Sequence, residues 1–161
     1  MIDLAPLGAA ELLKLHARVS DELRVRGITR SSNNPTGDLA EFLFCRAFGW
    51  SQAGNSNPNV DAVSPDGVRY QIKGRRITPQ NGSRQMSAIR DLQGSNFDFL
   101  AAVLFDQDYS ILRAAIIPIE VVVARATFVP RTNSHKFFLR DDVVNVTGVR
   151  DVTDGLRAVS Y

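Results

Sequence analysis

The 161-residue sequence holds one cysteine, Cys45. No disulfide can form within the chain, so stability falls to a hydrophobic core. Nothing near Cys45 marks an activated thiolate, and it reads as a small buried hydrophobe. There are only two histidines, His16 and His135, far apart and without metal-ligand spacing. The P-loop, G-x-G-x-x-G and H-E-x-x-H patterns are all missing. So is G-x-S-x-G, and a serine hydrolase is not expected. The longest apolar run, Phe97 to Phe105, is broken by Asp98 and is too short to span a bilayer. The opening residues, Met1-Ile2-Asp3-Leu4, lack a basic region before an apolar one, so no signal peptide is read. A cytoplasmic protein is expected. No repeat, low-complexity tract or linker divides the chain. At 44% hydrophobic residues, 1–161 reads as one domain with a single core.

Charge is nearly balanced, at +2 overall. That is too mild to point to nucleic acid by itself, but its distribution is uneven. Arg69, Lys73, Arg75, Arg76, Arg84 and Arg90 occupy a stretch with no Asp or Glu. Such a stretch is either a solvated basic loop or a site for an anionic ligand.

Hydrophobic periodicity then orders the elements. Leu12, Leu15, Val19 and Leu23 form one stripe of an amphipathic helix over 8–26, which Gly27 stops. A polar loop, Thr29 to Pro35, follows. Thr36 is placed to cap a second helix to Phe48, with Leu39, Phe42, Leu43 and Ala47 inward and Gly49 ending it. After the polar segment 52–59 the period changes to two. Val60–Val63 and Val68–Lys73 predict a β-hairpin around the turn Ser64-Pro65-Asp66-Gly67. Val68, Tyr70 and Ile72 lie on one face of its second strand, and Arg69, Gln71 and Lys73 on the other. Beyond a basic loop over 74–83, Ser83 is placed to cap a helix to Leu92, with Met86, Ile89 and Leu92 inward. Phe97–Phe105 predicts a strand buried on both faces. Ser110–Ile117 predicts another, and Pro118 opens a helix to about Ala126. The core thus spans 36–126. In the C-terminal part, 127–161, a strand is expected at Phe137–Leu139 and a helix at Asp151–Arg157. The order predicts an α/β fold with a central mixed sheet flanked by helices.

The hairpin and the second helix carry the candidate chemistry. Phosphodiester hydrolysis with Mg²⁺ needs oxygen ligands and a nearby cation on rigid elements. Gln71 and Lys73 share a face, Asp61 lies across the ladder from them, and Glu41 sits on the buried side of its helix. Taken singly, each has a plain structural role. Glu41 reads as a half-buried salt-bridge partner, Asp61 as the opening of a turn, and Gln71 and Lys73 as the solvent face of an edge strand. Trp50 reads as core.

In this order the residues resemble the PD-(D/E)XK nucleases. The match runs from Thr36 to Arg76: Gly37-Asp38-Leu39-Ala40-Glu41, then Asn59-Val60-Asp61, then Tyr70-Gln71-Ile72-Lys73-Gly74-Arg75-Arg76. The Q-x-K form is similar to Mrr-like restriction endonucleases. The chain departs from the family pattern with Val60 in place of proline, and with Gln71 in place of an acid. The resemblance implies a restriction-endonuclease-like, three-layer α/β/α fold and a Mg²⁺- or Mn²⁺-dependent endonuclease acting on DNA. Asp61 and Gln71 would bind the ion, helped by the Ile72 carbonyl, with Glu41 holding water on it and Lys73 orienting the nucleophile. The family also contains inactive members that bind nucleic acid or join complexes. Arg75, Arg76 and Arg84, with Asn55 and Asn57 in the loop before Asp61, are candidate nucleic-acid contacts. Many nucleases of this fold cut duplexes as dimers, which makes a homodimer a candidate assembly.

Overall fold

Helical and strand periods alternate along the sequence, and the computed structural model, which describes residues 2–54, 57–94 and 96–161, follows most of them. In chain order the elements are α1 (Ala9–Val25), α2 (Thr36–Phe48), β1 (Ser51–Gln52), β2 (Ala62–Val63) and β3 (Arg69–Arg76). Then come β4 (Phe99–Phe105), β5 (Ile111–Pro118), α3 (Ile119–Arg125), β6 (Thr127–Val129), β7 (Ser134–Lys136), β8 (Arg150–Asp151) and α4 (Thr153–Arg157). Among the described residues, six strands form one mixed sheet in the order β1-β2-β3-β4-β5-β8, and β6 pairs with β7 separately. The β3–β4 pair is parallel, and the other pairs are antiparallel. Among the described residues no helix is long and apolar enough to cross a membrane.

Both faces of the sheet are covered. On one, Leu39, Ala40, Leu43 and Phe44 of α2 and Leu156 of α4 pack on Tyr70, Ile72, Ala101, Val103, Ala114 and Ile116. On the other, Val122 of α3 joins Met86, Ile89, Phe97, Phe137 and Leu139 over Leu100, Ala102, Leu104, Ala115 and Ile117. The apolar run of β4 is thereby buried on both sides, as its sequence requires.

Two glycines fix the part that holds the site. Gly67 takes φ +86° to close the turn between β2 and β3, where its N–H donates to the Ser64 carbonyl. Gly74 allows close approach. A Cβ there would lie 2.8 Å from the Thr36 carbonyl oxygen and 3.0 Å from the Ala40 Cβ, so α2 rests directly on β3. Aromatic rings lock the far end of the same contact. Trp50 stacks on Tyr70 with centroids 3.6 Å apart, and Phe48 and Phe44 stack on Trp50.

Several expectations need correction. The segment 83–92 is not a helix. Met86 N–H donates to Phe137 O, and Ile89 and His135 exchange backbone hydrogen bonds, so the chain runs extended beside β7. Met86, Ile89 and Leu92 are buried as expected, but by cross-strand pairing. Asp91, at φ +49°, stops a helix from running through, and only Leu92–Gly94 forms a 3-10 turn. The late strand is Ser134–Lys136 instead of Phe137–Leu139, and it pairs with the unforeseen β6. The predicted C-terminal helix begins at Thr153, because Arg150 and Asp151 are claimed by the edge of the sheet. Strand β3 runs on to Arg76, so the loop predicted from Gly74 begins later. Helix α1 forms, but only the end of its stripe meets the core: Leu23 packs against it, while no residue of the helix is fully buried and Leu12 and Val19 are 38% and 50% exposed.

Candidate functional site

Asp61 stands just before β2 and is tied to the middle of β3. Its N–H donates to the Tyr70 carbonyl oxygen at 2.9 Å, and its Oδ2 accepts the Ile72 N–H at 2.7 Å. The two bonds bracket Gln71, so Asp61 lies across from it. The N–H and C=O of one strand residue point to the same edge, so the Ile72 carbonyl is directed to the side where Asp61 sits. Beyond Asp61 that edge of β3 has no strand beside it among the described residues.

Strand β3 is interior, between β2 and β4, and Gln71 is only 4% exposed. This overturns the plain reading of Gln71 and Lys73 as a solvent face. In parallel register with β4, Gln71 lies beside Leu100 and Lys73 beside Ala102, with Arg75 next on the same face. The Gln71 Oε1 has no hydrogen-bond partner among the described residues. An amide oxygen buried without a partner costs on the order of 1–3 kcal/mol, a cost that a bound water or a cation at this position would remove.

Glu41 arrives from α2, with its side chain 15% exposed and ion-paired to Arg30. Its carboxyl is pushed up to about 7, first by burial and then by the charge of Asp61, against the pull of Arg30 and Lys73. Burial also raises Asp61 above the usual carboxylate range, although the Ile72 N–H, Lys73 and Arg30 oppose the rise. Lys73 is lowered by burial, while Asp61 and Glu41 favour its charged form and Arg90 opposes it. The two carboxylates and the ammonium therefore act on one another in a partly dry setting. Burial and the charge of Glu41 push the Cys45 thiol up to about 11, consistent with an inert side chain.

The sequence reading missed two residues, Arg30 and Asp38. Asp38, in the first turn of α2, accepts the N–H groups of Arg30 and Ser31 and the Ser31 hydroxyl. This pins the loop before α2 and delivers Arg30 to Glu41. The acidic first turn of the helix was the available signal. A cavity of about 230 Å³ opens beside the pair and is lined by Arg30, Asn57 and Asp61.

The candidate nucleic-acid residues separate. Asn57 lines that cavity, and Asn55 lies outside the described residues. Arg75 has a buried Nε without a partner among the described residues. Arg76 donates through Nε to the Gln107 carbonyl at 2.9 Å and covers the Tyr109 ring at 4.8 Å. Arg84 pairs with Asp141 at 2.9 Å.

Two carboxylates and an amide oxygen are hard donors suited to Mg²⁺ or Mn²⁺. Among the described residues no three His, Cys, Asp or Glu side chains are grouped to hold a metal ion, so an ion here would rest on Asp61, Glu41 and the Gln71 amide. Compared with protein-family models and with curated proteins, the chain matches none.

Proposed function

We propose that this protein is a Mg²⁺-dependent endonuclease of the PD-(D/E)XK type, with a restriction-endonuclease-like arrangement of its mixed sheet, hydrolysing phosphodiester bonds in DNA. The observation that carries the reading is the buried, unpartnered Gln71 Oε1 bracketed by the two backbone ties of Asp61. Asp61, Gln71 and the Ile72 carbonyl would hold the ion, and Glu41 would reach it through water. Mg²⁺ bound there supplies charge neutralisation at phosphorus and a more acidic water. Lys73, held by the charges of Asp61 and Glu41, orients the attacking water and the phosphate oxygen. Arg30 holds Glu41 in place through their ion pair. Arg75 lies one alternation beyond Lys73 on the same face, placed for the phosphate backbone.

A second reading, an inactive nucleic-acid-binding module of the same fold, is favoured by one observation: Arg30 already occupies Glu41, and Gln71 brings no charge. Incubation of supercoiled, single-stranded and branched DNA with Mg²⁺, Mn²⁺ or EDTA separates the two. Metal-dependent nicking, lost in both Lys73→Ala and Asp61→Ala, supports the nuclease. Binding without cleavage in every metal supports the module.

A further inference from the structure

The β6–β7 hairpin presents an aromatic ring outward. Phe128 pairs across the hairpin with His135, ring centroids 5.1 Å apart, yet is 51% exposed. On its other edge β7 is tied through His135 to Ile89, which fixes the position of Arg90. These groups line a cavity of about 480 Å³ together with Gln93, Thr132 and Asn133. That volume lies within the range of roughly 300–1,000 Å³ usual for a small-ligand site. The His135 Nδ1 is buried and without a partner among the described residues. Arg90 is exposed and forms no ion pair among the described residues, in contrast to Arg69, Arg84, Arg113 and Arg125. The cavity wall is thus an open phenyl ring, the His135 imidazole, Leu92, the polar side chains of Gln93, Thr132 and Asn133, the Arg90 guanidinium, and the Asp91 carboxylate, which accepts the Asn96 Nδ2–H.

We infer that this cavity binds an unstacked nucleobase of a single strand, with Phe128 as the stacking platform, His135, Thr132 and Asn133 facing the base edge, and Arg90 on the adjoining phosphate. The inference rests on the nuclease reading for its setting, and it names the substrate class: single-stranded or locally opened nucleic acid. In a paired duplex the faces of the bases are covered by their neighbours, so a side-on ring has no base to stack on. A splayed strand offers both base face and base edge. Arg90 lines the cavity next to Asp91.

Fluorescence anisotropy in EDTA tests this without cleavage. The probes are labelled single-stranded DNA and RNA of about 12 nucleotides, within the span of common single-strand sites, and the duplex of the DNA sequence. Wild type should bind a single strand more tightly than the duplex. Phe128→Ala should weaken single-strand binding roughly tenfold and leave duplex binding unchanged. Phe128→Trp should retain single-strand binding, which separates stacking from damage to the hairpin. Arg90→Ala should weaken single-strand binding and lower its salt dependence by about one counterion. The DNA and RNA probes show which strand the cavity prefers. Equal binding of duplex and single strand, no oligonucleotide binding, or a Phe128→Ala protein indistinguishable from wild type would each overturn the inference. Parallel incubation of wild type with Mg²⁺ keeps the two claims apart: a Phe128-dependent single-strand complex without cleavage refutes the nuclease and leaves the base site standing.

Discussion

Replacing Glu41 by glutamine should stabilise the metal-free protein at pH above about 4.5, by an amount that grows up to about pH 7. The Glu41 carboxyl rises from an ordinary 4.5 to about 7 because it is buried beside Asp61. Between those values the folded state holds a proton that the unfolded state has released, so wild-type stability falls as pH rises through the window. At roughly 1.4 kcal/mol for each pH unit, the penalty at pH 8 is about 3 kcal/mol. Below 4.5 both states are protonated and the penalty vanishes. Glu41→Gln removes it, and loses only an ion pair whose Arg30 partner is half exposed and contributes little. Asp61 is also raised, but it is present in both proteins and largely cancels in the comparison. Urea unfolding at pH 4 to 8 in EDTA reads the difference. The variant midpoint should match wild type at pH 4 and exceed it by on the order of 1–2 M urea at pH 8, for slopes of about 2 kcal/mol/M. Saturating Mg²⁺ should stabilise wild type at pH 8 and barely move the variant, since the ion gains most from the deprotonated carboxylate. Parallel pH curves for the two proteins, or a variant less stable at pH 8, would refute the reasoning.

Other substitutions probe the scaffold. Gly74→Ala places a methyl group against the Thr36 carbonyl and Ala40, so α2 must move away from β3. Denaturant unfolding should show a loss of about 1–3 kcal/mol, with weaker Mg²⁺ stabilisation because Glu41 moves too. Asp38→Ala removes the acceptor for three hydrogen bonds and should cost about 1–2 kcal/mol near pH 7. Burial acts to raise the Asp38 carboxyl, but the Ser31 and Arg30 bonds outweigh it and hold the group below 3.8. Its stabilisation is full above 3.8 and is lost as pH falls through the lower folded value, so the gap to wild type should close in strong acid. Trp50→Ala opens the stack of Phe44, Phe48 and Tyr70, and thermal unfolding should report a loss of about 3–5 kcal/mol.

What could be read from sequence was local and strongly patterned. Helix α2 carried an apolar face and a glycine stop, and its span, Thr36–Phe48, follows the reading. The turn at Gly67 and the alternation after it placed Gln71 and Lys73 on one face, and a period of two leaves no other choice. The uninterrupted apolar run of β4 told its own burial. Spacing by three at Met86, Ile89 and Leu92 was ambiguous, because a segment of ten residues is held by whatever it packs against, and β7 won over helical bonds. The β6–β7 hairpin leaves Phe128 outside, so its hydrophobic pattern carried no inward signal. Amphipathicity showed that α1 is a helix but not whether its stripe would meet the core. Glu41 is a half-buried salt-bridge partner, as its plain reading had it, but Arg30 as that partner was invisible for a related reason: it depends on Asp38 folding the preceding loop onto α2, a contact that no local pattern encodes.

The most direct test of the central claim is plasmid nicking in Mg²⁺ by wild type, Gln71→Glu and Gln71→Leu. If the Gln71 oxygen completes an ion site with Asp61 and Glu41, wild type nicks, the glutamate variant does so at lower Mg²⁺, and the near-isosteric leucine variant is folded but inactive. Equal nicking by Gln71→Leu, or none by wild type or the glutamate variant, would contradict the account.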